Sequence, residues 1–531
     1  MGAGAEVARA VDLDHIRGDL AEALARRSEL LDENRPDAIA RRRGTNQRTA
    51  RENIADLCDS DSFVEYGGLA LAAQRQRRTP GELRRMSPAD GLITGIGSVN
   101  GALFDEEQTR CAIMAYDYTV FAGTQGVINH KKKDRLLGLA DQWALPVVMF
   151  AEGGGGRPGD EWPTPAGLET TTFGRLGAIN GKVPIVGIVS GRCFAGNAAL
   201  LGSCDVIIAD RTSNIGMGGP AMIEGGGLGV FRPEDIGPVE VQAPNGVIDA
   251  LVEDEAEGVA VARKYLGYFQ GRVRDWSCAD QRVLRHAIPE NRLRAYDIRP
   301  IIETLADTNS VLELRSSFAK GMITALIRVE GRPVGLIANN SRHLGGAIDA
   351  EGGDKAARFI QLCDAFNLPI VSLCDTPGMM VGPEVEKTAQ VRHVSRLFVA
   401  AARATVPIFA VVLRKGYGLG ALAMIGGSNQ KPFSIVAWPS AEFGAMGLEG
   451  AVKLAYRKEL AALEDPAARK AWFDEMVAKS YAENKALSSA TFLEIDDVID
   501  PRETRSRIVA GLKSTAHSGR YERKVTRVDL W

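Results

Sequence analysis

An internal repeat constrains this chain of 531 residues more than any other feature of its sequence. Residues 405–427 hold an apolar run, then a basic pair with three spaced glycines, then a run of small residues. This order predicts a buried strand, a tight turn and the start of a helix. The same pattern occurs at residues 183–201, where Pro184 takes the place of Pro407. The sequence therefore indicates two copies of one folding unit.

A second pair of segments repeats at the same separation. Residues 130–150 and 353–373 each read as helix, proline and strand, and Pro146 and Pro369 are separated by as many positions as the first proline pair. This common separation is the repeat offset. A succession of strands and helices of this kind predicts a parallel sheet flanked by helices. We therefore predict an α/β fold in two duplicated domains, because a repeat of about 220 residues is too long for a solenoid unit.

The domain boundaries follow from this repeat and from composition. Residues 1–58 are predicted to form an N-terminal helical segment, because Leu and Ile recur there at helical spacing among Arg and Glu. Residues 59–294 and 295–531 are the two repeated domains, and the boundary lies near residues 288–299, where two prolines flank a charged stretch. A chain of this length exceeds one ordinary core, which agrees with two domains.

Shorter segments give further predictions. Strands are expected at residues 91–99 and 111–116, a surface loop at 75–85, a helical hairpin at 454–485 with Pro466 at its turn, and a polar arm at 518–531. The basic run at residues 41–43 is interpreted as a solvated helix end rather than an RNA contact, because acidic residues surround it.

Composition argues against several classes of protein. The formal charge of −3 is unlike that of a general nucleic-acid binder. No apolar run approaches the length of a membrane-spanning helix and the N-terminus lacks a signal sequence, so we expect a cytoplasmic protein without a membrane partner. The seven cysteines stand singly, which excludes a standard zinc ribbon and argues against disulfides. No metal is expected, because the six histidines lack ligand spacing; His343 and His393 have no obvious partners.

Each half contains two glycine-rich turns, at residues 152–159 and 191–197 in the first half and at 375–382 and 416–420 in the second. None has the spacing of a Walker A loop, and no Rossmann fingerprint follows the first strand. No catalytic triad or acid–base pair accompanies the turns. Main-chain N–H groups at a helix start suit a developing negative charge, so we predict catalysis of the oxyanion-hole type. Two matched holes imply two anions.

Five stretches carry a resemblance to a known family: residues 49–54, 353–367, 375–384, 414–418 and 436–447. With them the chain resembles the carboxyltransferase (β) subunit of biotin-dependent acyl-CoA carboxylases, of the propionyl-, methylcrotonyl- or long-chain acyl-CoA type. The resemblance covers about residues 45 to 520. It implies two crotonase-like domains, each a ββα superhelix, which agrees with the repeat.

The resemblance also implies a reaction without catalytic side chains. Carboxybiotin releases carbon dioxide, the ureido nitrogen takes the α-proton of an acyl-CoA, and the enolate attacks the carbon dioxide. One hole stabilises the enolate and the other the ureido oxygen. Carried over by position, the donors are Ala195 and Gly196 in the first half and Leu419 and Gly420 in the second. Ala195 and Leu419 stand where the family usually has glycine, which main-chain donors tolerate if the backbone angles suit an L-residue.

Partners follow from the same resemblance. The sequence has no Met-Lys-Met biotinylation site and no recognisable ATP-binding biotin carboxylase domain, so biotin is expected on a partner, a biotin carboxylase or biotin carboxyl carrier subunit. The family's site lies between the first domain of one subunit and the second domain of another. A homo-oligomer is therefore implied, a hexamer built from dimers.

The resemblance places the substrate contacts mainly in the first half. It gives Gly155, Gly156 and Arg157 in the first turn and Leu422 for acyl selectivity. By their charge, Lys131 and Lys132 with Lys133 and Arg135 are candidates for the CoA phosphates, and residues 216–229 are a candidate tunnel. Plainer interpretations stay open: a solvated lysine run, a core leucine and a flexible glycine loop.

Two other functions remain open from the sequence. The same holes run in reverse would serve the α subunit of a biotin-dependent decarboxylase or a transcarboxylase. Alternatively, the departures at Ala195 and Leu419 would fit a non-catalytic assembly subunit of a carboxylase complex.

Overall fold

The computed structural model describes residues 14–161, 167–516 and 527–531. Two large β-sheets dominate these residues, one from each half of the chain. Helices lie on and between the sheets, so the predicted α/β class and the duplication are both confirmed.

The sheet of the first half is mixed rather than parallel. Its strand order is β1-β2-β3-β4-β6-β8-β10, and β5, β7 and β9 form a small separate sheet. The strands are β1 (Val64–Tyr66), β2 (Leu92–Ser98), β3 (Arg110–Tyr116), β4 (Val147–Phe150), β5 (Gly153–Gly154), β6 (Ile185–Val189), β7 (Arg192–Phe194), β8 (Val206–Asp210), β9 (Asn214–Gly216) and β10 (Ala250–Val252). Because β1, β2 and β3 pair antiparallel, the parallel prediction holds only from β3 onward.

The helices of the first half include three that end before residue 58, and the extent of the N-terminal helical segment, residues 1–58, stays a prediction. The helices are α1 (Gly18–Ser28), α2 (Pro36–Arg43), α3 (Ala50–Leu57), α4 (Pro80–Met86), α5 (Glu106–Thr109), α6 (Val127–Trp143), α7 (Thr172–Ala178), α8 (Gly196–Gly202), α9 (Pro220–Gly225), α10 (Val239–Gln242) and α11 (Glu255–Gly267). Strands β2 and β3 lie where the sequence predicts them.

The second half repeats this plan. Its sheet has the order β11-β12-β13-β14-β15-β16-β18, with β17 beside the end of β15, and again only the strands from β13 onward pair in parallel. The strands are β11 (Leu312–Leu314), β12 (Met322–Val329), β13 (Arg332–Asn339), β14 (Ile370–Thr376), β15 (Ile408–Tyr417), β16 (Ser434–Ala437), β17 (Glu442–Gly444) and β18 (Asp497–Val498).

The helices of the second half include the predicted hairpin. They are α12 (Arg299–Leu305), α13 (Ala350–Ala365), α14 (Pro383–Glu386), α15 (Gln390–Arg403), α16 (Gly418–Met424), α17 (Leu448–Ala455), α18 (Arg457–Ala462), α19 (Pro466–Glu483), α20 (Ala486–Thr491) and α21 (Thr504–Thr515). Pro466 begins α19, and the Asp465 side chain caps that helix. Short 3₁₀ turns lie at Asp32–Asn34, Pro88–Gly91, Phe121–Gly123, Pro233–Asp235, Gln281–His286, Leu344–Gly346 and Pro501–Glu503.

The two halves share part of their hydrophobic core. A single cluster of buried side chains runs from α3 and α11 to α13 and α15. Buried polar contacts cross the same boundary: Arg315 pairs with Asp249 at 3.0 Å, and Arg358 donates to the Asp205 carbonyl. Each large sheet is nevertheless built from one half alone. The domain limits at residues 59–294 and 295–531 stay a prediction.

Two predictions about the N-terminal third hold only in part. Residues 41–43 do end α2, and Arg41 and Arg43 are exposed, but Arg42 is only 6% exposed and makes two bonds to Glu152, of 2.7 and 2.8 Å. It thus fixes α2 to the first glycine turn. The predicted loop at residues 75–85 ends in α4, because Thr79 and Glu82 form a capping box that starts a helix.

The chain end contacts both halves. The predicted arm at residues 518–531 falls partly outside the described residues, which resume at residue 527. Val528 is buried, its N–H donates to the Asn180 side chain, and Trp531 packs on Phe318. No helix in the described ranges is long and apolar enough to cross a membrane.

Candidate active site

The second glycine turn of the second half differs from its predicted form. Strand β15 does not end near Leu413 but continues through the basic pair to Tyr417, because it pairs with β17 as far as Gly444. Helix α16 then starts at Gly418, whose φ of +54° suits glycine. Strand and helix therefore follow each other directly, with the glycine at the first position of the helix.

The N–H groups of Leu419 and Gly420 lie in the first turn of α16. Backbone N–H groups at this position have no acceptor within their own helix. Among the described residues, neither group donates a hydrogen bond elsewhere. Gly420 also faces the main chain of Gly378, since a β-carbon at position 420 would lie 2.7 Å from it. The two predicted donors of the second hole are therefore free, and they stand against the other glycine turn of that half.

The first half places its donors one residue later than predicted. The Ala195 N–H donates to the Gly216 carbonyl at 3.0 Å and is therefore occupied. Helix α8 starts at Gly196, and within the described chain the N–H groups of Gly196 and Asn197 donate to no other group. Gly196 thus keeps its predicted place and Ala195 does not.

The repeat supports this revised pair. At the repeat offset, Gly196 corresponds to Leu419 and Asn197 corresponds to Gly420. Ala195 corresponds in the same way to Gly418, and the two have nearly equal φ values of +52° and +54°. Ala195 is thus an L-residue in a conformation that glycine prefers, at a cost on the order of 1–3 kcal/mol.

The other pair of glycine turns matches equally well. The Gln125 N–H donates to the Gly155 carbonyl at 2.8 Å, and the Ile348 N–H donates to the Gly378 carbonyl at 3.0 Å. The two donors, and likewise the two acceptors, are separated by the repeat offset. Gly156 is exposed, and no atom lies within 4 Å of where a β-carbon would stand on Gly155 or Gly156. The predicted Gly155–Gly156 segment is therefore open to a ligand.

Arg157 is buried and bonds to other parts of the protein, so it is not open to a ligand. Its side chain is 2% exposed, its guanidinium pairs with Asp90 and lies 3.7 Å from Asp160, and the Phe121 ring covers it at 4.9 Å. The prediction that Arg157 contacts substrate is not supported, because its donors point into the protein.

The lysine run on α6 divides into exposed and buried members. Lys132 is buried and donates to the carbonyls of Ala89 and Leu92, and burial lowers the pKa of its ammonium to about 8. Lys132 therefore stabilises the fold through these bonds, and its predicted contact with CoA is not supported. Lys131 is exposed, and it lines a cavity of about 170 Å³ together with Arg135 and Tyr66. The cations of Lys131 and Arg135 stay available for an anionic ligand.

Exposed apolar side chains lie beside both holes. In the second half Leu419 is 63% exposed and Leu422 is 39% exposed, so Leu422 is not a core residue. The predicted tunnel segment of the first half contains α9 and exposes Met217, Met222 and Leu228. This segment starts beside the first hole, because the Gly216 carbonyl accepts the Ala195 N–H.

Sequence reasoning missed the side chains that hold these turns. Asp375 is wholly buried and accepts two bonds from the Arg414 guanidinium, of 2.9 and 3.3 Å, and one from the Lys415 N–H. These bonds join the end of β14 to β15 just before the second hole. Opposite charges at the ends of neighbouring strands are the one signal that would have indicated this pair. His393, predicted to lack a partner, bonds to Asp354 at 2.6 Å.

The chemistry available at these turns is main-chain hydrogen bonding. Within the described ranges, no three His, Cys, Asp or Glu side chains stand together as metal ligands. Paired N–H donors in a fixed position stabilise an oxygen that gains negative charge in a transition state. The two holes suit two such oxygens.

Comparison with known proteins agrees with this chemistry. A family model described as the carboxyl transferase domain matches residues 41–528. The methylmalonyl-CoA carboxyltransferase 12S subunit of Propionibacterium freudenreichii is 31% identical over 489 residues, 90% of each chain. The propionyl-CoA carboxylase beta chain of Saccharopolyspora erythraea is 30% identical, covering 97% of this chain and 96% of its own.

Solved structures are similar as well. A single-chain, multi-domain long-chain acyl-CoA carboxylase is 56% identical with a TM-score of 0.90 over 93% of this chain; the chain spans about half of that protein, 49%. The transcarboxylase 12S crystal structure, with methylmalonyl-CoA bound, is 29% identical with a TM-score of 0.82, covering 96% of this chain and 97% of its own. The length of the family match and the two matched holes lead to one conclusion: the chain belongs to the carboxyl transferase domain family and is a carboxyl transferase.

Proposed function

We propose that this chain transfers a carboxyl group from carboxybiotin, held on a partner subunit, to the α or vinylogous carbon of an acyl-CoA. The observation that carries the proposal is the pair of holes with free N–H groups, Gly196 with Asn197 and Leu419 with Gly420, at corresponding places in the two repeats. The acyl-CoA relatives supply the substrate class.

The first hole takes the thioester oxygen in this proposal. The contacts predicted for CoA, Gly155 and Gly156 with Lys131, belong to the first half, and the exposed side chains of Lys131 and Arg135 supply positive charge there for the phosphate groups. The N–H groups of Gly196 and Asn197 then stabilise the enolate oxygen as the α-proton leaves.

The second hole takes the ureido oxygen of biotin. Biotin supplies the carboxyl group and, through its ureido nitrogen, the base. Leu419 and Gly420 fit its oxygen because, within the described residues, their N–H groups have no other acceptor, and the exposed Leu419 side chain gives the ring an apolar neighbour. The chain needs no side-chain base of its own.

A long acyl tail fits the apolar surface best. Met217, Met222 and Leu228 are 72%, 63% and 75% exposed beside the first hole, and Leu422 is partly exposed beside the second. Acetyl-CoA would leave this surface in water, whereas an alkyl chain gains roughly 0.8 kcal/mol for each CH₂ that it buries. The relative at 56% identity is a long-chain acyl-CoA carboxylase.

We further propose a homo-oligomer, a hexamer built from dimers, in the cytoplasm. The two holes lie in different halves, and in the implied arrangement each site combines the first half of one subunit with the second half of another. The 12S relative is a hexamer. All seven cysteines are free thiols, which agrees with a reducing compartment.

Light scattering at the concentration of the activity assay checks the assembly. We expect a particle several times the 57.0 kDa of one chain, and a hexamer if the site is shared as proposed. A monomer that is active would contradict a site shared between subunits.

A proline substitution tests the second hole without changing its surroundings. Leu419 is the second residue of α16 and its side chain faces solvent, so proline fits the helix there but removes the donor N–H. We expect Leu419→Pro to lower kcat by about 100- to 1,000-fold. Leu419→Ala is the matched control, because it trims the same side chain and keeps the N–H.

Steady-state rates of the two variants give the answer. Equal rates for Leu419→Pro and Leu419→Ala would remove this N–H from the site. Gly420→Pro is a poorer probe, because any β-carbon at position 420 meets the Gly378 main chain.

An acyl-CoA panel tests the substrate class. The chain is incubated with its biotinylated partner, ATP and bicarbonate, and carboxylated products are measured for acyl groups from acetyl to palmitoyl. We expect kcat/KM to rise with chain length. Highest turnover with acetyl-CoA would contradict the role of the apolar surface, and no product from any acyl-CoA, with a partner shown to be competent, would sink the proposed function.

The same panel distinguishes the proposed carboxylase function from the main alternative. The 12S similarity favours a transcarboxylase as the second candidate. Carboxyl transfer from methylmalonyl-CoA to biotin, faster than the forward reaction, would establish it.

A further inference from the structure

A buried side-chain amide lies against Gly196 of the first hole. Gln125 is 3% exposed, and its main chain is tied to the first glycine turn on both sides: its N–H donates to Gly155 and its carbonyl accepts from Arg157 at 2.7 Å. A β-carbon added to Gly196 would lie within 3.3 Å of the carbon, the oxygen and the nitrogen of this amide. The glycine at position 196 therefore makes room for this amide.

The Gln125 amide is the last group of a buried hydrogen-bond network that also contains Tyr116 and Lys133. The Lys133 ammonium on α6 donates to the Tyr116 hydroxyl at 2.8 Å, and the Gln125 nitrogen donates to the same hydroxyl at 3.1 Å. Tyr116 is 3% exposed and Lys133 is wholly buried. Within the described chain, Tyr116 is the hydrogen-bond partner of Lys133, and the Gln125 amide oxygen accepts no bond.

The hydrogen bonds of this network can be arranged in two ways. With both nitrogens donating to Tyr116, the Tyr116 hydroxyl hydrogen has no acceptor among the described residues, and the Gln125 oxygen faces the Gly196 side unpaired. Turning the amide over exchanges its oxygen and nitrogen at nearly the same positions. Lys133 then donates to Tyr116, Tyr116 donates to the Gln125 oxygen, and the Gln125 NH₂ group faces the hole. Lys133, Tyr116 and Gln125 then each donate one hydrogen bond, and the bond from Gln125 goes to an anion bound in the hole.

We propose that Gln125 is a catalytic residue whose NH₂ group donates a further hydrogen bond to the enolate oxygen in the first hole, with Tyr116 and Lys133 as the positioning residues that fix the amide. This inference rests on the proposed function of that hole and adds a side-chain donor to its main-chain donors. The positive charge of Lys133 strengthens the bond through the Tyr116 hydroxyl, because hydrogen bonds in a chain polarise one another.

The second half of the protein lacks all three residues of this network. At the repeat offset from Tyr116, Gln125 and Lys133, the sequence has Asn339, Ile348 and Ala356. Ile348 keeps the main-chain bond to its glycine turn but carries no donor on its side chain. The amide therefore distinguishes the two holes, and it belongs to the one where the stronger base, the enolate, is proposed to form.

The surroundings of Lys133 agree with this role. Burial lowers the pKa of its ammonium to about 7, partly offset by the carboxylates of Asp134 and Asp90, while Arg157 lowers it further. Since a buried cation whose partner is a neutral hydroxyl is costly, the free protein favours loss of this proton, whereas a nearby anion favours keeping it. An anion one amide away offsets that cost during the reaction.

Substitution of Gln125 tests the proposal in the holoenzyme. Gln125→Met keeps length and burial but removes the donor, and we expect kcat to fall about 10- to 100-fold with the KM for acyl-CoA within about twofold. Tyr116→Phe should lower kcat in the same way, and the double variant should be no slower than Gln125→Met alone. Gln125→Glu, similar in shape, should be slower still, because its carboxylate repels the enolate oxygen.

The matched control is Gln270→Met. Gln270 is equally buried at 3% exposure in the same half, and it bonds to Val99 and Asn100 away from the hole. Loss of a buried amide alone should lower its melting temperature and leave kcat unchanged. The Gln125 variants should differ from it in kcat and not in stability.

Each outcome is decisive. A kcat for Gln125→Met within twofold of the wild type, or a loss confined to KM, overturns the assignment of Gln125. If Gln125→Met does not fold, wild-type turnover by Gln125→Glu overturns it. An inactive wild type and an inactive Gln270→Met instead overturn the proposed function and this inference with it.

Discussion

The active site depends on close contact between main chains at glycine. In the second half, the turn after one parallel strand lies against the turn after the next, and a side chain at the contact would keep them apart. Gly420 faces Gly378 in this way, and Gly346 faces the carbonyl of Asp375. The N–H donors are therefore placed by the sheet rather than by side chains, which explains how Leu419 stands in the hole without harm: its side chain points to solvent.

Duplication gave two similar holes, and the residues beneath them have since diverged. A buried pair, Asp375 with Arg414, ties the strands under the second hole. The first hole rests on Glu152, which accepts its bonds from Arg42 in the N-terminal helical segment. In the proposed function the same scaffold serves two chemically different oxygens, because the main chain is shared and the supporting side chains are not.

Much of this architecture is visible in the sequence, since proline and glycine positions carry it. The shared offset of Pro146 and Pro369 predicts β4 and β14, and the glycine turns mark both holes. What escapes prediction depends on long-range partners. Ala195 is occupied because Gly216, on a separate strand, accepts its N–H, and Lys132 is buried because two carbonyls surround its ammonium. Neither neighbour can be inferred from local pattern, so the sequence does not show that the Ala195 N–H, the Lys132 ammonium and the Arg157 guanidinium are already bonded within the protein. It also gives no sign of the buried pair of Asp375 and Arg414.

We propose that main-chain N–H groups, rather than side chains alone, hold the oxygen that becomes charged. A crystal structure of the oligomer with a bound acyl-CoA measures this directly. We expect the thioester oxygen within about 3.2 Å of the Gly196 nitrogen, a normal hydrogen-bond length. A thioester oxygen more than about 4 Å from every N–H of both glycine turns, beyond any hydrogen bond, would contradict it.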